Sequence, residues 1–255
     1  HFAPEGAVFV VFTEGGGQAE HIVRVDRSGS PLSAAQSSSP RYPQVGFEYA
    51  GTDVYAAVYD PGHYTVYWSN GSTSVAEAKR LPSEITVGGD WSVRFDPDWG
   101  PKEAVVFPEL ISWTESPEPL IRYYSGKAVY ENAFDLDKDQ IRGRKVLLDL
   151  GNVQDVAVIR VNGHEFPVSW CSPYEVDITP YVRAGRNRLS VDVVNLWPNR
   201  LIGDGKLPPG ERMTRSNISK YDAPDAEKYM RVSGLLGPVR VKFFERVKIT
   251  PQDKN

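Results

Sequence analysis

Two groupings in this chain have the residue types to act on a saccharide. Glu109, Glu115 and Glu118 gather around Trp113, and Asp204 stands further along, so an opposed pair of carboxyl groups can be drawn from them. Hydrolysis of a glycosidic bond asks for such a pair, roughly 5 to 9.5 Å apart. With 33 acidic residues in 255, though, clusters of this kind arise from composition alone, and no catalytic residue is assigned. The second grouping is aromatic. Sugar rings offer apolar C–H faces and polar hydroxyl edges, so their sites join an aromatic platform to Asp, Asn, Glu or Arg. Trp113 with Glu115, Tyr123 with Tyr124, and Trp197 with Asn199, Arg200 and Asp204 have that composition and form the candidate carbohydrate-binding set. The same tryptophans also suit a core or an interdomain seam, and Arg200 and Asp204 also suit an ion pair that pins a loop.

Other chemistries find less support. The histidines are His1, His21, His63 and His164, and none accompanies a G-x-S-x-G elbow or an H-E-x-x-H pair, so neither a nucleophilic triad nor a metal site is assigned. The single cysteine, Cys171, excludes an internal disulfide and a thiolate zinc cluster. It reads as a small, half-buried hydrophobe beside Trp170. A net charge of −4 gives no electrostatic footprint for nucleic acid or anionic lipid. No apolar run approaches the ~20 residues that cross a bilayer. The chain opens at His1 with neither an initiator methionine nor a signal-like segment, which points to processing or to excision from a longer protein.

The elements that must position these residues read as strands. In residues 1–82, short apolar runs at Ala7–Phe12, His21–Val25, Phe47–Tyr49, Val54–Tyr59 and Tyr64–Trp68 are separated by Gly15–Gly17, a Ser/Pro-rich loop from Ser28 to Pro43, Asp60-Pro61-Gly62 and Ser69–Ser72. This predicts a small β-sandwich. Residues 83–255 begin again at Trp91–Phe95, continue through Arg122–Tyr130 to a strand end near Phe134, and run on in Val146–Leu150 and Val156–Val161. Asn162-Gly163 supplies the positive φ angles of a tight hairpin. Gly185-Arg186-Asn187 then turns the chain into Arg188–Asn195, where apolar and polar residues alternate so that one face is wet and one dry. Val239–Phe244 and Val247–Ile249 close the second unit. Asp177 caps the turn at Ile178-Thr179 through its carboxylate, with Tyr181 packed below. Asn199–Val232 reads as one long loop, and loops beyond about 12–15 residues are often functional. A helical period is visible only at Ala223–Tyr229, so the fold class is all-β.

The strand and V-N-G turn ending at Gly163, Asp177-Ile178-Thr179 with Tyr181, and the run G-x-N-x-L-x-V-x-V-x-N from Gly185 to Asn195 resemble the galactose-binding-like jelly roll of family 2 β-galactosidases and β-glucuronidases. Leu196–Asp204 and Ser233–Arg240 resemble the C-terminal end of bacterial α-L-rhamnosidases of glycoside hydrolase family 106. The resemblance implies a small β-sandwich followed by a galactose-binding-like jelly-roll β-sandwich, acting as a non-catalytic accessory and carbohydrate-binding region. The hydrolytic carboxylates would lie in a preceding catalytic barrel, which this region would brace. The implied carbohydrate partner is a rhamnose-containing plant cell-wall polysaccharide such as rhamnogalacturonan, met by a periplasmic or secreted enzyme. No cofactor is implied. Some jelly rolls of this type hold a structural calcium, for which no EF-hand-like spacing is present here. Two rival functions remain: an autonomous carbohydrate-binding module, and a small pectin-active lyase or hydrolase built on the long loop.

Overall fold

The computed structural model describes residues 20–32, 44–50 and 53–249. The strand expected at Ala7–Phe12, the glycines Gly15–Gly17 and most of the Ser28–Pro43 loop lie outside the described residues. In chain order the strands are β1 (Ile22–Arg27), β2 (Ser30–Pro31), β3 (Val45–Ala50), β4 (Asp53–Val58), β5 (Gly62–Trp68), β6 (Thr73–Ala78), β7 (Ile85–Thr86), β8 (Trp91–Phe95) and β9 (Val105–Phe107). Then come β10 (Lys127–Leu136), β11 (Arg144–Asp149), β12 (Asn152–Gln154), β13 (Val156–Val161), β14 (His164–Glu165), β15 (Glu175–Asp177), β16 (Gly185–Val194), β17 (Gly234–Gly237) and β18 (Arg240–Ile249). Short helices α1 (Pro119–Arg122), α2 (Lys138–Ile141) and α3 (Pro198–Gly205) interrupt them. The fold is all-β.

Two compact units emerge, and they are not the consecutive runs 1–82 and 83–255. The first takes the chain up to Glu84 together with Lys138–Val146 and the residues from Lys242 on; the second is Ile85–Asp137 with Leu147–Val241. The sequence pattern places the break at about residue 82, where the strand pattern stops before its second start at Gly89–Phe95. It cannot show that a later strand returns, since pairing between distant segments leaves no local mark.

In the first unit β2, β1, β5 and β6 form one antiparallel sheet, while β3, β4 and the end of β18 form another. Alternation places Tyr64, Val66 and Trp68 of β5 on one face, where they meet Val45, Val54, Ala56, Val58, Ala76, Ala78 and Ile249. The Trp68 indole would lose its water there, and its N–H instead donates to Ser74 Oγ at 2.8 Å.

In the second unit the order β14-β13-β16-β10-β8-β9 makes a sheet built around the two ten-residue strands β10 and β16, which pair along their whole length. The inward positions of β16 are Asn187, Leu189, Val191 and Val193, all buried, and those of β13 are Ala157, Ile159 and Val161. Trp91, Val93 and Phe95 of β8 and Ala128 and Tyr130 of β10 continue that dry face. Aromatic rings fill the space beneath it in edge-to-face contacts, with Phe95 on Trp113 at 5.5 Å and on Tyr124 at 4.8 Å, and Trp113 on Tyr124 at 5.4 Å.

Candidate functional site

The opposite face of the β13-β16-β10-β8 sheet is wet, and it forms an open concavity of about 1110 Å³. Strand register decides what lines it. Glu131 of β10 stands opposite Ser190 of β16 and Ser92 of β8, and Ser190 stands opposite Arg160 of β13, so these four side chains form one row across the sheet. One row along, Ala133 stands opposite Arg188. Asp90, Asn132, Asn162, Gly163, Arg183, Arg186 and Leu189 complete the lining.

Two asparagines give this end of the concavity its shape. Asn162 takes a φ of +51° and Gly163 of +89°, the left-handed pair that a two-residue hairpin requires. Its amide then reaches across: Asn162 Nδ2 donates to Asn187 Oδ1 at 2.8 Å and to the Tyr181 carbonyl at 2.8 Å, while its Oδ1 accepts from the Arg188 N–H at 2.9 Å. Asn187, fully buried, accepts from the Arg183 N–H at 3.0 Å and donates to the Arg183 and Gly185 carbonyls at 2.8 and 2.9 Å. An amide offers two donors and an acceptor oxygen, and here every one is used. The V-N-G and G-x-N signals are therefore two halves of one clamp, which holds Arg183, Arg186 and Arg188 at the mouth of the concavity.

Charge on this face divides into matched and unmatched groups. Arg160 pairs with Asp192 at 2.7 Å and with Glu165 at 2.6 Å, and the hydrogen bond to Asp192, followed by that to Glu165, lifts its guanidinium above the usual arginine value. Arg94 pairs with Glu131 at 2.9 Å, and Lys127 approaches Asp192 at 3.7 Å. Arg183 spends only its Nε, on the Arg186 carbonyl at 3.5 Å. Among the described residues, Arg186 and Arg188 have no side-chain partner, and Asp90 is the unpaired acid of the lining. The face can thus offer guanidinium forks and serine hydroxyls to a polar ligand. Among the described residues no three His, Cys, Asp or Glu side chains converge at ligating distance, so no ligand set is named for a calcium ion.

The candidate carbohydrate-binding residues chosen from sequence lie elsewhere, and most are buried. Trp113 and Tyr124 are 0% exposed, with the Trp113 indole N–H donating to the Tyr130 hydroxyl and Tyr124 donating to the Lys127 carbonyl at 2.7 Å. Burial pushes the Tyr124 phenol upward and that of Tyr130 further, in keeping with neutral core hydroxyls. These rings fill the core and present no platform. Asn199 is a clamp as well: its Nδ2 donates to the Arg231 carbonyl at 2.7 Å and to Ser233 Oγ at 2.9 Å, and its Oδ1 accepts from the Arg231 N–H at 2.8 Å. Arg200 and Asp204 pair at 3.8 Å within α3, both almost fully buried. Arg200 also donates to the Trp99 carbonyl at 2.7 Å, and loss of water lowers its basicity; Asp204 Oδ2 accepts from both the backbone N–H and the hydroxyl of Thr214.

These contacts correct the long loop. Asn199–Val232 opens on α3, started by Pro198 at its first turn, and continues through single 3₁₀ turns at Pro209–Glu211, Ser219–Tyr221 and Ala226–Tyr229, the last standing where a helical period was read. Gly203 is needed for close approach, since a Cβ there would come within 2.5 Å of Tyr123 Cβ. Tyr123 is half-buried and donates to Glu227 Oε1 at 2.6 Å, and Lys206 binds the same oxygen at 2.7 Å, tying the loop back to the body.

Glu115 is exposed on the turn after Trp113, and Trp197 is 55% exposed, edge-on to Trp99 at 5.9 Å. Trp197 is thus the aromatic residue of the sequence-derived set that offers a broad free surface. Cys171 is half-buried beside an exposed Trp170, and Asp177 accepts from the Thr179 N–H at 3.0 Å.

Sequence reading passed over Ser92, Glu131, Arg160, Arg186, Arg188 and Ser190. One signal was present: Arg186, Arg188 and Ser190 recur at every second residue of a strand whose alternate positions run Asn187, Leu189, Val191 and Val193, which puts them together on the wet side. What brings Arg160 and Glu131 beside them is the register of three strands, which a single strand does not encode.

Comparison with known proteins supplies the context of this geometry. Residues 80–215, just over half of the chain, match the family described as glycosyl hydrolases family 2, sugar binding domain. A putative β-glucuronidase of Formosa agariphila is 34% identical and aligns with 71% of this chain, which spans 17% of that protein. The solved rhamnosidase of Novosphingobium sp. PP1Y superposes with a TM-score of 0.56 and 26% identity, over 87% of this chain and 25% of its own. A β-glucuronidase of Ruminococcus gnavus overlaps 44% of the chain, and 21% of its own, at 24% identity and a TM-score of 0.39, too loose a likeness to weigh. The chain spans a quarter or less of the length of each.

Proposed function

Because the chain belongs to the family of glycosyl hydrolases family 2 sugar-binding domains, we propose that it is the sugar-contacting, non-catalytic region of a bacterial α-L-rhamnosidase-like glycoside hydrolase that works on rhamnose-containing plant polysaccharide. The observation that supports the rhamnosidase reading is coverage. One rhamnosidase structure follows 87% of this chain, a share too large to be confined to either compact unit. Hydrolysis belongs, in this proposal, to a carboxyl pair in a catalytic barrel of the parent enzyme, and this region braces that barrel and holds part of the polysaccharide. Asp204, the acid that the long loop offered for catalysis, is already committed to Thr214 and Arg200. The enzyme would act in the periplasm or outside the cell, where polymeric substrate is met.

The test uses the purified chain. It is expected to release no rhamnose from an aryl α-L-rhamnoside or from rhamnogalacturonan, and to bind pectic oligosaccharides saturably in calorimetry, in the micromolar to millimolar range. Turnover by the isolated chain would overturn the non-catalytic part. Absence of saturable binding to every oligosaccharide would overturn the sugar-contacting part.

A further inference from the structure

We infer that the concave face of the second unit selects an anionic sugar, a residue bearing a carboxylate or a sulfate ester, through Arg183, Arg186 and Arg188. The inference rests on the sugar-binding reading above and names the ligand chemistry of the face described there.

Three observations carry it. First, the local charge opposes the global one. The chain has a net charge of −4, yet the groups left unmatched at this concavity are the three arginines against Asp90. The other cations of the face are already satisfied: Arg160 by Asp192 and Glu165, Arg94 by Glu131. Second, placement brings like charges together with no internal partner. Arg186 and Arg188 leave the same side of β16 two residues apart, about 7 Å along the strand. Neighbouring like charges on one sheet face are unfavourable, and a bound anion removes that repulsion. Third, the backbone that carries these arginines is fixed in advance. The Asn162–Asn187 clamp holds the turn that carries Arg183 and Arg186, and it holds the Arg188 N–H directly. Groups that are already ordered lose less freedom on binding.

Ligand class follows from donor geometry. A guanidinium matches the paired oxygens of a carboxylate or sulfate with parallel N–H donors. Ser92 and Ser190 in the adjoining row suit the hydroxyls of the same ring or its neighbour. The volume of about 1110 Å³ and its openness to solvent suit a saccharide lying across the sheet.

Calorimetry on the full chain decides the matter with four probes: an oligogalacturonide, the same oligomer fully methyl-esterified, a sulfated galactan oligosaccharide, and a short single-stranded oligonucleotide as a generic polyanion. The acidic oligogalacturonide or the sulfated oligomer is expected to bind about tenfold or more tightly than the neutral ester, the scale of one charge-assisted hydrogen bond. Whichever of the two binds more tightly identifies the anion as carboxylate or sulfate. Arg186→Gln and Arg188→Gln should each reduce that preference several-fold with the thermal midpoint unchanged, and Arg188→Lys, which keeps the charge and loses the fork, should fall between. Equal binding of acid and ester would overturn the inference while leaving the sugar-binding reading intact. An oligonucleotide that binds as tightly as the acidic sugars, or arginine variants that keep the preference, would overturn it too. Silence from every probe would instead remove the sugar-binding reading of this face and the inference with it.

Discussion

Replacing Asn187 by alanine tests whether the clamp is what holds the mouth of the concavity. The side chain is fully buried and makes four hydrogen bonds, to Asn162 Nδ2 (2.8 Å), the Arg183 N–H (3.0 Å), the Arg183 carbonyl (2.8 Å) and the Gly185 carbonyl (2.9 Å). At about 1 kcal/mol net for each, the full set contributes about 4 kcal/mol. Arg183 and Gly185 are exposed, so water recovers part of what they lose, and the expected destabilisation is about 2–3 kcal/mol. In a chain of this size that lowers the thermal midpoint by about 4–12 °C, readable by circular dichroism. Asn187→Asp sharpens the test, because it keeps the accepting Oδ1 and puts a second acceptor oxygen toward the Arg183 and Gly185 carbonyls where the donating Nδ2 stood. It should destabilise at least as much as alanine. A midpoint within about 1 °C of wild type for both variants would refute the reasoning, because the four distances would then reflect proximity without stabilisation.

Acid should loosen the long segment after α3. The bond to Lys206, and then that to Tyr123, holds the Glu227 carboxyl down at about 2 against an ordinary 4.5. A depressed carboxylate contributes stability above its unfolded value and loses it as pH falls through the folded one, so the tie weakens between 4.5 and about 2. With a side chain 44% exposed, solvent screening keeps this a local effect. Protection factors of the amides in residues 206–232, which correct for the intrinsic slowing of exchange in acid, should fall across that window and should already be lower at neutral pH in Glu227→Gln; a flat profile in wild type would contradict it. The two tryptophans proposed from sequence should part company. Trp113→Ala empties a fully buried site and is expected to cost about 3–5 kcal/mol, whereas Trp197→Ala should cost less than about 1 kcal/mol, and equal losses in a denaturant titration would show the burial to be misjudged.

Much of the fold was legible because a strand announces itself locally. Arg188–Asn195 alternates between the two faces of a pleat, and the positive φ at Asn162 and Gly163 was implied by their identities. The candidate site was largely illegible. Composition does not distinguish a tryptophan that stacks on a sugar from one that packs under a sheet, and Trp113, Tyr124 and Asn199 have the same residue types as a binding set while serving as core and clamp. Helix α3 was hidden for a related reason: Pro198, Gly203 and Gly205 read as breakers, and burial of Asn199, Arg200, Ile202 and Asp204 is what makes that turn-rich stretch helical. The arginine face needed the register of β13 on β16 and of β16 on β10, a property of pairs of strands.

Strand β18 pairs with β7 through Arg240 and Val241 and with β4 through Glu245 to Ile249, so the first unit borrows a ladder from the far end of the chain. During synthesis β4 leaves the ribosome long before that ladder exists, and until then its N–H and C=O groups are a bare edge open to any other strand. The β4 edge is therefore covered only when the last described residues of the chain have emerged. An expression boundary drawn before Lys242 would make that transient hazard permanent.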